Sequence, residues 1–160
     1  MTDSGSGLPA IGQLGIVVRD LKAAMEEYSR VLGVGPWKVH TNSAPPIRCS
    51  YRGEPASYRV SVALADSGPL VIELIQYLDG DTIHREFANI RGEGIEHLGV
   101  YVPNLDEALV ALEKQGVGIL QRGDGLGYSR DGMYAYLDTE ATLGIVLELI
   151  QPASQRTAPA

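Results

Sequence analysis

The chain has 160 residues, 44% of them hydrophobic, with 20 Asp and Glu against 13 Lys and Arg and a net charge of −7. That is enough chain for one domain with a core of its own. The acidic balance argues against nucleic acid or an anionic membrane surface as partner, since both need a basic footprint.

No apolar stretch reaches the length of a membrane span. The opening MTDSGSGLPA lacks a basic region followed by an apolar core, the mark of a secretory signal. Cys49 is the single cysteine and has no partner for an internal disulfide, so a cytoplasmic setting is expected. Residues 1–10 and 152–160, rich in Ser, Gly, Pro and Ala, are expected to be disordered tails around one domain spanning 11–151.

Alternation over residues 12–18 predicts a strand. Asp20 suits an N-cap, Leu21, Ala24, Met25, Tyr28 and Leu32 share a helical face, and Gly33 ends that helix. A short strand is expected over 37–41, then a polar loop over 42–57. Residues 58–64 and 70–77 follow as a hairpin across Asp66-Ser67-Gly68. A linker over 79–94 carries a short helix at 83–90, on which His84 is expected to be solvated. The second half repeats the order. It has a strand at 96–102 and a helix at 105–115 capped by Asn104, with Glu107 three residues on. Strands at 117–121, 133–138 and 144–151 complete it, with Gly123, Gly125 and Gly127 read as a mobile flap.

The halves also agree in sequence. Residues 13–24, QLGIVVRDLKAA, match 97–108, HLGVYVPNLDEA, and Glu73-Leu74-Ile75-Gln76 recurs as Glu148-Leu149-Ile150-Gln151. Two copies of one unit, not a solenoid, are implied. The fold class expected is α+β: two βαβββ modules (11–78 and 95–151) forming a half-open mixed β-barrel cleft with helices outside. The repeat pairs Gln13 with His97 and Glu73 with Glu148, which a pseudo-twofold would bring together.

Both Glu residues stand in apolar strands, where a carboxylate needs a cation or strong donors, or stays protonated. A Glu facing solvent from an edge strand is the plain alternative for either one. Gln13, Glu73, His97 and Glu148 supply one nitrogen and three oxygens, a set suited to Co²⁺, Ni²⁺, Mn²⁺ or Fe²⁺. A closed structural zinc site prefers Cys and His. Arg59 and Ser61, on one strand face, are substrate-binding candidates, as are Trp37 and Tyr134 as pocket walls. His40 is a weaker cleft candidate, and Cys49 is read as incidental.

The stretches GQLGIVVRDLKAAMEEYSRVLGVGPW, GEGIEHLGVYVPNLDEA and YLDTEATLGIVLELIQ resemble the vicinal oxygen chelate superfamily. It includes glyoxalase I, bleomycin resistance proteins, extradiol dioxygenases and methylmalonyl-CoA epimerase, and the likeness is closest to the epimerase-like branch. The resemblance implies metal ligands at Gln13, Glu73, His97 and Glu148, binding a divalent ion (Co, Ni, Mn, Fe or Zn). The epimerases carry His at the position of Gln13 and Gln at that of Glu73. Their catalytic base, a third-strand Glu, aligns with Ser61.

The function expected is a metal-dependent isomerase or lyase acting on a small carbonyl compound or thioester, with Glu73 or Glu148 moving the proton. The alternative is a metal-free binding protein of the bleomycin-resistance type. An Fe²⁺ extradiol dioxygenase fits less well, because only one His stands at a ligand position. A small-molecule substrate and a homodimer are the partners expected.

Overall fold

The computed structural model describes residues 7–154 apart from Asn42 and Tyr128; most of the two expected tails lies outside the described residues. The chain opens with β1 (Ile11–Val17) and α1 (Leu21–Leu32), then β2 (Lys38–His40), β3 (Arg48–Tyr51), β4 (Glu54–Pro55), β5 (Tyr58–Ser67) and β6 (Leu70–Gly80). After α2 (Ile83–Arg91) come β7 (Gly94–Tyr101), α3 (Leu105–Glu113), β8 (Ile119–Leu126), β9 (Gly132–Leu137), α4 (Glu140–Leu143) and β10 (Val146–Gln151).

All ten strands form one curled sheet in the order β2-β5-β6-β1-β7-β10-β9-β8-β3-β4. The modules meet at its middle, where β1 and β7 run antiparallel with Gln13 opposite Gly99 and Gly15 opposite His97. On either side the last strand of each module lies parallel to its first, β6 against β1 and β10 against β7.

The outer face of each half is closed by its own helix. Leu21 on α1 packs with Ile16, Ala63, Ala65 and Leu74, and Leu105, Leu109 and Leu112 on α3 pack with Val100, Ala135, Leu137 and Leu149. Both helices start at the expected caps: Asp20 Oδ1 accepts from Ala23 N–H and Asn104 Oδ1 from Glu107 N–H. Gly33 ends α1 at φ +68°, the left-handed conformation a helix stop favours.

The repeated Glu-Leu-Ile-Gln divides its labour by strand alternation. Its Gln turns outward to a helix start, where Gln76 Oε1 accepts from Leu21 N–H and Gln151 Oε1 from Leu105 N–H, both at 2.9 Å. Its Glu therefore turns inward, to the concave side.

Three expectations need correction. The stretch 42–57 is not a plain loop: it holds β3 and β4, and β3 pairs with β8 of the other module from Arg48↔Asp124 to Tyr51↔Gln121. Gly123 and Gly125 belong to β8 and are no flap; a Cβ on Gly123 would lie 2.2 Å from the Tyr134 hydroxyl. The third concerns α2, whose first turn dips into the concave side, with Ile83 packed among Tyr58, Tyr134, Tyr136 and Val146. His84 is accordingly buried, 2% exposed, not solvated. Among the described residues no helix is long and apolar enough to cross a membrane.

Candidate metal centre

Four side chains converge where the modules meet. Gln13 Nε2 donates to Glu73 Oε2 at 3.0 Å and to Glu148 Oε2 at 3.2 Å. His97 Nε2 lies 3.1 Å from Glu148 Oε2 and 3.4 Å from Glu73 Oε2. Gln13, His97 and Glu148 are buried, while the Glu73 side chain keeps 17% exposure.

Glycines make room for this cluster. A Cβ on Gly15 would sit 1.9 Å from His97 Cε1, and one on Gly99 would sit 2.7 Å from Gln13 Cβ. The Leu-Gly after each repeat's polar residue thus provides the space its partner across the seam occupies. Gln13 is steadied from below: Tyr101 donates its hydroxyl to Gln13 Oε1 at 2.9 Å. The register skips Gly12, which leaves a bulge next to Gln13, and a Cβ there would meet the Tyr101 ring at 2.8 Å.

The electrostatics ask for a cation. Although buried near two carboxylates, His97 Nε2 makes no hydrogen bond, because it is misaligned with both. Burial works against a charged imidazole, but Glu148, Glu73 and Glu96 outweigh it and hold the His97 pKa well above its ordinary value. Burial also lifts Glu148 above the usual carboxylate range, with His97 pulling the other way and Glu73 adding to the lift. A divalent ion fits the donor set: Glu73, His97 and Glu148 each offer an atom within 4.8 Å of the others. The spacings of 3.1 and 3.4 Å from His97 Nε2 to the two carboxylates are those of neighbours around an ion bonded at about 2.1 Å. Two carboxylates balance a double positive charge. Gln13 would serve with its amide turned over, Oε1 inward and Nε2 donating to the Tyr101 oxygen, which accepts as readily as it donates.

The expected substrate-binding residues divide. Tyr134 is on the concave side, 1% exposed, its hydroxyl 2.7 Å from that of Tyr58. Ser61 is not: it shares the alternation of Ala63 and Ala65, which pack against α1, and lies opposite the outward Gln76. Arg59 is on the same outer face, paired with Asp79 on β6. Trp37 packs edge-on to Tyr28 of α1 and donates its indole N–H to Ser29 Oγ at 2.9 Å, outside the cleft. His40 is exposed on the edge strand β2. Cys49 faces inward, its sulfur 3.9 Å from the Tyr134 hydroxyl, and burial raises its pKa.

Several concave-side residues escaped the sequence reading. Tyr136 lies opposite Glu148 on β9 and stacks edge-on to His97, centroids 5.1 Å apart. Gln121 of β8 fixes the start of α2, its Oε1 accepting from Thr82 Oγ1 at 3.0 Å and Ile83 N–H at 2.9 Å. That anchor sets His84 beneath the site. A buried polar residue on a strand is the only signal Gln121 offers in sequence.

Comparison with known proteins agrees with this picture. The model of the Glyoxalase/Bleomycin resistance protein/Dioxygenase superfamily matches residues 12–137. The "Uncharacterized protein YqjC" of Bacillus subtilis (strain 168) is 27% identical over 142 residues, covering 89% of this chain and 91% of that protein. A Streptomyces coelicolor methylmalonyl-CoA epimerase variant in complex with 2-nitronate-propionyl-CoA superposes with a TM-score of 0.67 at 20% identity, over 92% of this chain and all of that one. A Mycobacterium tuberculosis methylmalonyl-CoA epimerase gives 0.63 at 23% identity, over 96% and 93%. The hypothetical protein BH1468 from Bacillus halodurans C-125 gives 0.66 at 22%, over 93% and 98%. At these identities the structures speak for the fold.

Proposed function

The chain belongs to the glyoxalase/bleomycin resistance protein/dioxygenase superfamily, and from that premise we propose that it is a metal-dependent isomerase or lyase acting on a small carbonyl compound or thioester. The observation that carries the reading is the buried His97 Nε2, facing Glu73 and Glu148 with no hydrogen bond of its own. A divalent ion there would polarise the substrate oxygen and stabilise the charge that develops on it.

The chain's own residues supply the rest. Glu73 is the member of the cluster with appreciable exposure, so it meets an arriving substrate and takes the proton from the carbon beside the carbonyl. Glu148, enclosed by His97, Gln13 and Tyr136, stays in place as a ligand. Tyr58, Tyr134 and Tyr136 wall the concave side and exclude water. Ser61 has no part in the proton transfer, since a base at its position would face α1.

The test joins metal content to exchange. Protein purified without an affinity tag should contain a divalent ion, and chelation should lower its Tm, because a ligand bound only to the folded state adds stability. Across a panel of small carbonyl compounds and acyl thioesters, the loaded enzyme should incorporate solvent deuterium beside the carbonyl. Glu73→Gln should retain metal and lose roughly 10²–10⁴-fold of that exchange, whereas Glu148→Gln should lose both. A protein that holds no metal and shows no thermal response to Co²⁺, Ni²⁺, Mn²⁺ or Zn²⁺ is the sequestering protein instead.

A further inference from the structure

Glu96 has no role in the reaction above, and in an unbroken strand it would face away from His97. The register of β7 on β1 shifts at this point. Gly15 pairs with His97 but Ile16 pairs with Ile95, leaving Glu96 as the extra residue of a β-bulge. The bulge brings the two neighbouring side chains to the same side, with Glu96 Oε2 3.0 Å from His97 Nδ1.

Glu96 is 5% exposed, and its two oxygens lie 3.0 and 2.8 Å from His84 Nδ1. His84 Nε2 in turn faces the Tyr136 hydroxyl at 3.5 Å. A buried acidic group therefore sits between two imidazoles, one of them in the candidate metal centre.

An ionised carboxylate only accepts hydrogen bonds, so the nitrogen facing it must carry the proton. That keeps a proton on His97 Nδ1 and makes Nε2, which faces Glu73 and Glu148, the nitrogen that gives up its proton and offers a lone pair when a cation binds. A carboxylate behind the ring also makes Nε2 the more basic donor. Resting on the metal-dependent reading, we propose that Glu96, turned inward by the bulge and tied to His84, is the positioning residue that locks the ring of His97 for binding a divalent cation through Nε2. It touches neither substrate nor ion and acts through His97 alone.

The experiment uses the full chain, stripped of metal and titrated with Zn²⁺ alone. Glu96→Gln keeps the size and an acceptor oxygen for Nδ1–H but removes the charge; Glu96→Ala removes both. Zn²⁺ affinity should fall roughly 10-fold in the first and roughly 100-fold in the second, the range found when an outer partner of a metal-bound His is lost. In metal-free wild-type protein the His97 Nδ1–H proton should resonate far downfield, and it should move upfield in Glu96→Gln. A purely structural residue would lower the metal-free Tm without moving that resonance or the affinity of the folded protein.

Wild-type affinity in both folded variants overturns this proposal alone, as does a wild-type spectrum without the downfield proton. A wild-type chain that does not bind Zn²⁺ at all overturns the metal-dependent reading and this proposal with it.

Discussion

Gln13 in the first module and His97 in the second stand at matching places, each opposite a glycine of the other strand, yet they are supported by different chemistry. Both strands bulge just before the site residue. In the first module the bulge residue is Gly12, and the Tyr101 ring fills the space and donates to Gln13. In the second it is Glu96, which reaches His97 directly and is backed by His84. A neutral amide with a hydroxyl behind it thus faces an imidazole with a carboxylate behind it. Backbone symmetry places the donors, and the bulge residue decides what kind of donor each becomes.

The glycines test that symmetry most severely. Gly15→Ala would drive a methyl to 1.9 Å from the His97 ring, while Gly99→Ala meets Gln13 Cβ at 2.7 Å and Ile150 Cδ1 at 3.1 Å. Overpacking of this kind costs about 1–3 kcal/mol. Urea denaturation should show both losses, with Gly15→Ala the larger and it alone moving a ring that must keep its aim. Equal losses would mean that the seam, not the ligand, takes up the strain.

Protonation separates the modules next, since His97 titrates and Gln13 does not. In metal-free protein the His97 pKa is raised above its ordinary 6.5, so its contribution to stability is fully present below that pH and is lost as pH rises through the folded value. Glu148, also raised, works in the same direction from about pH 4.5 upward. Glu96 runs oppositely: burial resists its ionisation, but the charge and hydrogen bond of His84, with His97, hold it at about 2. Its contribution is therefore present above 4.5 and fades as pH falls towards 2. Melting curves of metal-free protein should decline on the alkaline side. Divalent metal should remove that decline by displacing the proton, and His97→Gln, which makes the two modules alike, should lessen it without metal, leaving the part that Glu148 contributes. An alkaline decline unchanged in His97→Gln would assign it to another group.

The helix caps set the smallest difference. Asp20 and Asn104 make the same bond to the N–H three residues on, at 3.0 and 3.1 Å. Replacing either by Ala should cost about 1 kcal/mol, and the two losses in denaturant midpoint should agree closely. A large gap between them would show that one module's helix carries more of the fold than the other's.

What could be read from sequence follows the same division. The repeat exposed the four converging residues because it holds register over whole modules, and alternation put Glu73 and Gln76 on opposite faces. Alternation was also what hid Glu96, since a bulge breaks the period of two on which it rests. For Ser61 the face was legible but not which face was concave, because that depends on where α1 docks. Helical spacing around His84 could not show that α2 dips inward, as the anchor for that is Gln121 on a strand beyond the next helix. The pairing of β3 with β8 joins Arg48 to Asp124, a separation no local pattern reports.

That pairing also bears on how the chain becomes a protein. The first module's hairpin extends the second module's sheet, while the seam of β1 and β7 ties the two halves at the other end. The second half keeps its four strands together while the first half places two of its own, β3 and β4, beyond them, so the energetic reward for the hairpin arrives only once β8, far along the chain, has formed. Contacts of such long sequence separation slow folding and bind the halves into a single cooperative transition. The two modules repeat one another in sequence, yet a cut at the linker would leave β3 and β4 in one piece and the β8 on which they pair in the other.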